Sequence, residues 1–132
     1  MWITSKVKNT ADSHESWIGA EGALRPFPIP AKASGRGSAV SGGELLMLAL
    51  ATCYCNDLFR EAGLRGIEIE EVDIEARGNF EAAGMPATTI EYRARVIASG
   101  SDEEVQDLIR HTDSVAEVHL TIRRGLAVTR VG

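Results

Sequence analysis

Ser41-Gly42-Gly43-Glu44-Leu45-Leu46-Met47-Leu48-Ala49-Leu50-Ala51-Thr52-Cys53-Tyr54-Cys55-Asn56-Asp57 is the stretch on which the fold of this chain turns. Its first four residues fit a capping box, in which a serine hydroxyl and a carboxylate three residues later satisfy orphan amides at a helix start. Leu45 to Ala51 is apolar on every face, so the helix is expected to be enclosed all round rather than laid against one sheet. Asn56, Asp57, Arg60 and Glu61 return it to polar surroundings, and Gly63 reads as its end. The only two cysteines of the chain, Cys53 and Cys55, fall inside it.

Upstream, Trp2 to Asn9 and Ser13 to Gly19 read as an antiparallel hairpin across Thr10-Ala11-Asp12, with a third strand near Gly22 to Arg25. Pro26, Pro28 and Pro30 then withhold ladder donors, and with the glycine-rich run Ser34 to Gly43 they make a long loop ahead of the helix. Downstream, Val72, Ile74 and Ala76 alternate with charged residues, as do Ile90, Tyr92, Ala94 and Val96, which predicts a second hairpin closed by Asn79 to Pro86. Ile67 and Ile69 are out of phase with Val72, so a bulge or a late start is expected near Glu70-Glu71. Ser101-Asp102-Glu103-Glu104 and Ser114-Val115-Ala116-Glu117 resemble two further helix starts, and Leu126 to Val131 reads as a last strand. The order β-β-β-α-β-β-α-α-β gives an α+β fold, one domain over residues 1–132, around a buried central helix. Either a second subunit or a chain that wraps its own helix would cover that apolar run.

With 132 residues, 44% of them hydrophobic, the chain encloses one core. A formal charge of -5 argues against nucleic acid or an anionic membrane as partner, since both recruit basic surfaces. No basic-then-apolar leader opens the sequence, and no run reaches the roughly 18 apolar residues of a membrane span. Two cysteines one residue apart are not a disulfide framework, which points to a reducing, cytoplasmic setting. His14, His111 and His119 are scattered and pair with no cysteine at zinc spacing, so no metal is expected. Ser34-Gly35-Arg36-Gly37-Ser38 lacks the ending of a phosphate loop, and no cofactor is expected either.

Gly37-Ser38-Ala39-Val40-Ser41-Gly42-Gly43-Glu44-Leu45-Leu46, leading through Ala49-Leu50-Ala51-Thr52-Cys53 to Asp57, resembles the OsmC-like family (osmotically inducible protein C), which includes the organic hydroperoxide resistance proteins. The resemblance implies a swapped, intertwined homodimer with two sheets around the central helices and two sites at the subunit interface. In the peroxidase members a helix cysteine reduces an organic hydroperoxide, a second cysteine from a later helix resolves it, and a glutamate and an arginine assist. Cys53 matches the reactive cysteine and Glu44 the helix-start glutamate. The second cysteine has no match: the span where it would fall reads Ser114-Val115-Ala116-Glu117-Val118. No arginine lies around Trp17-Ile18-Gly19, which leaves Arg25 and Arg36 as candidates for the assisting cation.

The chemistry asks for a thiolate that attacks one peroxide oxygen while the other departs as an alkoxide. A nearby cation both lowers the thiol pKa and stabilises the leaving charge. Cys53, Glu44 and Arg36 are therefore the candidate catalytic residues, acting on a small organic or lipid hydroperoxide. Residues two apart on a helix point to nearly opposite sides, so Cys55 does not close a disulfide with Cys53, and the reductant has to be an external thiol, whether a small thiol or a separate protein, or else a cysteine of the other subunit. Asp57 shares the face of Cys53, where a carboxylate raises a thiol pKa, and its other role is to pair with Arg60. The competing reading is a non-peroxidatic relative that keeps the fold and the interfacial pocket and binds a small apolar ligand or serves as an interaction module; the scattered aromatics Trp2, Trp17, Phe27 and Tyr54 read as packing residues rather than a lipid-like pocket.

Overall fold

Thr10 to Ser13 reverses the chain: the Thr10 amide donates to Ser13 O at 2.9 Å, and the Thr10 hydroxyl accepts from the Asp12 and Ser13 amides. This turn sets the register of β1 (Ile3–Asn9) on β2 (His14–Ala20), with Asn9 opposite His14 and Ile3 opposite Ala20. A third antiparallel strand, β3 (Ala23–Pro26), adds to β2. Gly19 has no room for a side chain, because a Cβ there would meet the Ala23 carbonyl oxygen at 2.0 Å. The computed structural model describes all 132 residues and divides into two compact units, Met1–Glu44, which holds this sheet, and Leu45–Gly132. Between β3 and the first helix the proline and glycine segment folds on itself. Lys32 donates to Gly37 O, Ala39 donates to Pro30 O, and Ala31 bridges Ser38.

The expected helix is α1 (Gly42–Leu64). Its capping box is formed in both directions, Ser41 N to Glu44 Oε1 at 3.0 Å and Glu44 N to Ser41 Oγ at 3.1 Å. Gly63 lies inside the helix rather than at its end. The stop is Gly66, whose φ of 66° is left-handed, with the Ile67 amide returning to Ala62 O. Enclosure on all faces does not hold within one chain. Leu50, Tyr54, Asp57, Leu58, Glu61 and Ala62 are buried at three- and four-residue spacing, while Leu46 and Leu48 remain 37% and 56% exposed. The apolar run is wider than the surface available to cover it.

That buried face packs on an antiparallel pair, β4 (Ile69–Asn79) and β5 (Thr89–Ala98), whose register shifts between Ile69 and Glu71 as the phase change predicts. Val72, Ile74, Tyr92, Ala94 and Val96 supply the inward positions. The other face carries the cross-strand ion pairs Glu71–Arg95 and Glu75–Arg93, both exposed and of little energetic weight. Helix α2 (Asp102–Val115) starts at the Ser101 capping box. Helix α3 (Glu117–Arg124) corrects the third expected start: Ser114 is still in α2, the N-cap is Ala116 with no side-chain cap, and Glu117 is free to do something else. The last strand is also absent. No element pairs with Leu126 to Val131, and Val128 and Val131 are 100% and 86% exposed, so the alternation has no ladder in this chain to join. The elements are three helices and five antiparallel strands, an α+β fold, and no helix is long and apolar enough to cross a membrane.

Tyr54, Tyr92 and His119 meet in the core of the second unit. Their ring centroids lie 4.8 Å apart for the tyrosine pair and 4.6 Å apart for Tyr92 and His119, which pack edge to face. His119 is 3% exposed and neither ring nitrogen has a hydrogen-bond partner. Burial, followed by the nearby Arg123 charge, lowers its pKa, partly opposed by Asp113. The folded state thus binds a proton here less readily than the unfolded chain. Its stabilising contribution is complete above the ordinary histidine pKa of about 6.5 and is lost as the pH falls through the depressed folded value. A His119→Phe variant should lose less stability than the parent between pH 7 and pH 5 in urea titrations, whereas parallel losses would contradict this account.

Candidate functional site around Cys53

Helical spacing sets Asp57 one turn beyond Cys53, and the thiol donates toward Asp57 Oδ2 at 3.5 Å. The third side is built by α3. Ala116, fully buried in the core with Tyr54 and Leu58, lets the start of α3 approach α1 closely. Glu117 Oε2 then comes to 3.7 Å from Cys53 Sγ, and the Val118 amide is turned to the sulfur. Arg60, the next turn of α1, ties the group together: its guanidinium lies 3.1 Å from Asp57 Oδ1, 3.0 Å from Glu61 Oε2 and 2.9 Å from Glu117 Oε1. Glu61 in turn accepts from His111 at 2.7 Å.

The electrostatics follow from two carboxylates against one guanidinium at the sulfur. Burial first, then Asp57 and Glu117, push the Cys53 thiol pKa up, and only the Val118 amide opposes them. Burial also raises the pKa of Asp57, with Glu117 adding to it. Contact with Asp57, then the backbone amide at its own helix start and Arg60, hold Glu117 down at about 2. The Arg60 pKa is raised further, chiefly by Glu61 and Glu117, so it stays cationic. At neutral pH the sulfur is a protonated thiol beside an ion pair. Glu117→Gln removes one of the opposing charges and should speed iodoacetamide alkylation of Cys53 at pH 7 several-fold, to about tenfold for each pKa unit regained. An unchanged rate would mean that Glu117 has no electrostatic hold on the thiol.

The sulfur and one oxygen from each of Asp57 and Glu117 lie within 4.8 Å of one another, a spacing that would suit a cation. The cation serving these carboxylates is the guanidinium of Arg60. Cys55 faces away, lining a shallow depression with Ala51, Thr52, Asn56, Val72 and Ile74, and both cysteines are free. Of the other expected site residues, Glu44 is engaged with Ser41, whose backbone and side-chain hydrogen bonds lower its pKa, and Arg36 donates to Asn9 Oδ1 at 2.8 Å. The sequence pairing of Asp57 with Arg60 is present. Glu117 was legible only as a capping residue. The signal that marks it is its position, inside the Ser114–Val118 span that aligns with the second cysteine of the peroxidase members.

The chain matches the family model described as OsmC-like protein over residues 35–130. Among solved structures it is similar to an OsmC-like protein from Mycoplasma pneumoniae, at 14% identity and a TM-score of 0.64 over 92% of this chain and 85% of that one. It is also similar to an organic hydroperoxide resistance protein from Elizabethkingia anophelis, at 18% identity and a TM-score of 0.62 over 95% and 90% of the two chains. A protein from Aquifex aeolicus gives a TM-score of 0.68 at 12% identity, over 95% and 89%. At these identities the likeness is one of fold. No curated protein matches.

Proposed function

The chain belongs to the OsmC-like family, and we propose that it is a thiol-dependent peroxidase that reduces small organic or lipid hydroperoxides at Cys53. The observation that carries this reading is the Arg60–Glu117 ion pair set against the Cys53 thiol. A peroxidatic cysteine needs a cation for the leaving alkoxide and an acceptor for its own proton; Glu117 lies at the sulfur as the acceptor, and Arg60 is the cation held on Glu117. Cys53 attacks the distal peroxide oxygen, the O–O bond breaks, and the alcohol leaves with a proton, giving a cysteine sulfenic acid. Glu44 and Arg36 are the further assisting pair, acting in a homodimer whose interface completes the site. The setting is a reducing, cytoplasmic one in which an external thiol recycles the enzyme.

The test is hydroperoxide consumption by the reduced protein with a dithiol present, using cumene hydroperoxide beside hydrogen peroxide. Turnover above a reductant-only blank, faster with the organic substrate, is expected. One observation favours a second reading, a non-peroxidatic relative that binds a small apolar ligand: the thiol is held protonated by its own neighbours. No turnover at any pH up to 9, with Cys53 inert to alkylation, would select that reading.

A further inference from the structure

Resting on the peroxidase reading, we infer that oxidised Cys53 persists as a sulfenic acid held by Glu117, and that the external thiol which reduces it is cationic or neutral rather than anionic. Two observations lead there. Glu117 reaches to 3.7 Å from Cys53 Sγ, so an acceptor carboxylate, not a second sulfur, waits beside the product S–OH. Cys55, the only other thiol of the chain, lines a different depression. With no internal sulfur to attack it, the sulfenic acid is resolved from outside.

The charge around it then selects the visitor. Asp57 and Glu117 face the sulfur, and the one guanidinium among them is already shared by Asp57, Glu61 and Glu117. Within one chain the Glu117 and Arg60 side chains are 64% and 45% exposed, so nothing of this chain stands between them and an incoming thiol. The approaching sulfur must come within a few ångströms of a net negative group. At that range one unit charge shifts the encounter of a singly charged reagent by several-fold in water, with opposite sign for cation and anion. The steps balance. A monothiol RSH attacks the sulfenic sulfur, forming the mixed disulfide Cys53–S–S–R and releasing water. A second RSH then displaces Cys53 as a thiol and leaves as RSSR. Over a cycle the hydroperoxide takes two electrons from two monothiols and yields the alcohol, water and RSSR.

The experiment uses full-length Cys55→Ser protein oxidised by one equivalent of cumene hydroperoxide, with the sulfenic acid verified by dimedone adduction. Its reduction is followed by stopped flow with cysteamine, 2-mercaptoethanol and mercaptoacetate at matched thiolate concentrations. The expected order is cysteamine, then 2-mercaptoethanol, then mercaptoacetate. The span should be about tenfold at low ionic strength, compressing as salt is added and shrinking in Glu117→Gln. Equal rates, a reversed order, or a span untouched by salt and by Glu117→Gln would overturn this inference and leave the peroxidase reading standing. Failure to trap any sulfenic acid with cumene hydroperoxide or hydrogen peroxide, even at pH 9, would overturn both.

Discussion

Cys53→Ser should reduce hydroperoxide turnover to the level of a reductant-only blank, while Cys55→Ser keeps the parent rate within a factor of two or so. A serine hydroxyl is not a nucleophile toward a peroxide oxygen under these conditions, so no partial activity is expected to survive. Cys55 lines a separate depression and shares none of the contacts of Cys53. The pH dependence of the parent makes the assignment sharper. Burial, Asp57 and Glu117 all push the Cys53 thiol above its ordinary value. Starting from about 8.5, the thiolate at pH 7 is then a few per cent at most, and it grows about tenfold per pH unit until the raised pKa is reached. Turnover limited by sulfur attack should therefore climb steeply from pH 7 to pH 9 rather than level off near neutrality. A Cys53→Ser protein that retained turnover would place the chemistry elsewhere. A flat profile below pH 8 would mean that an unseen cation has reversed the field at the sulfur.

Part of this dependence is legible in the sequence, where Asp57 shares the face of Cys53, and the rest lies in distances between elements. Spacing along α1 places Asp57 beside Cys53 and Arg60 beside Asp57, because those are neighbours on one helix. It also marks Ser41 as a cap. What the sequence does not carry is the approach of α3, which depends on a small buried residue, Ala116, at the entry of a helix that has no capping side chain. Glu117 satisfies the four-residue pattern of a capping box with Ser114, and the local rule competes with a tertiary one. The tertiary contact wins because Arg60 offers Glu117 an ion pair at 2.9 Å, while Ser114 is still helical and its hydroxyl donates to His111 O.

The cover of the first half of α1 and the pairing of the tail are illegible in the sequence for a related reason. An unbroken Leu45 to Ala51 run reports how much apolar surface must leave water, but not which chain supplies the cover. Leu46 and Leu48 are open in a single chain. The alternation of Leu126 to Val131 likewise reports a preference for pairing without naming a partner strand, and this chain provides none. The charge arrangement at Cys53, by contrast, is internal to one chain, since Asp57, Arg60 and Glu117 all lie in the second unit.

The largest effect on stability is expected at Tyr54, the residue beside the thiol. Its side chain is fully buried, its hydroxyl donates to Ile109 O at 2.8 Å, and its ring lies against Tyr92 and His119 with centroids at 4.8 Å and 5.7 Å. It thereby fastens α1 to α2, β5 and α3 at once. Burial raises its phenol pKa to about 12, so it remains a neutral donor across the working range. Tyr54→Ala deletes a large ring from a packed site and should cost about 3–5 kcal/mol in urea unfolding. Tyr54→Phe keeps the ring, loses one buried hydrogen bond and should cost only about 1 kcal/mol. The same pair tests whether this anchor positions the thiol. In Tyr54→Phe, Cys53 should alkylate at the parent rate. In Tyr54→Ala, at urea concentrations below its own unfolding transition, α3 loses its hold on α1, Glu117 withdraws, and the thiol should react faster at pH 7. A Tyr54→Ala protein within about 1 kcal/mol of the parent would show that α1 and α3 are held by other contacts. An unchanged Cys53 rate in a clearly destabilised variant would show that the carboxylates stay at the sulfur without this ring.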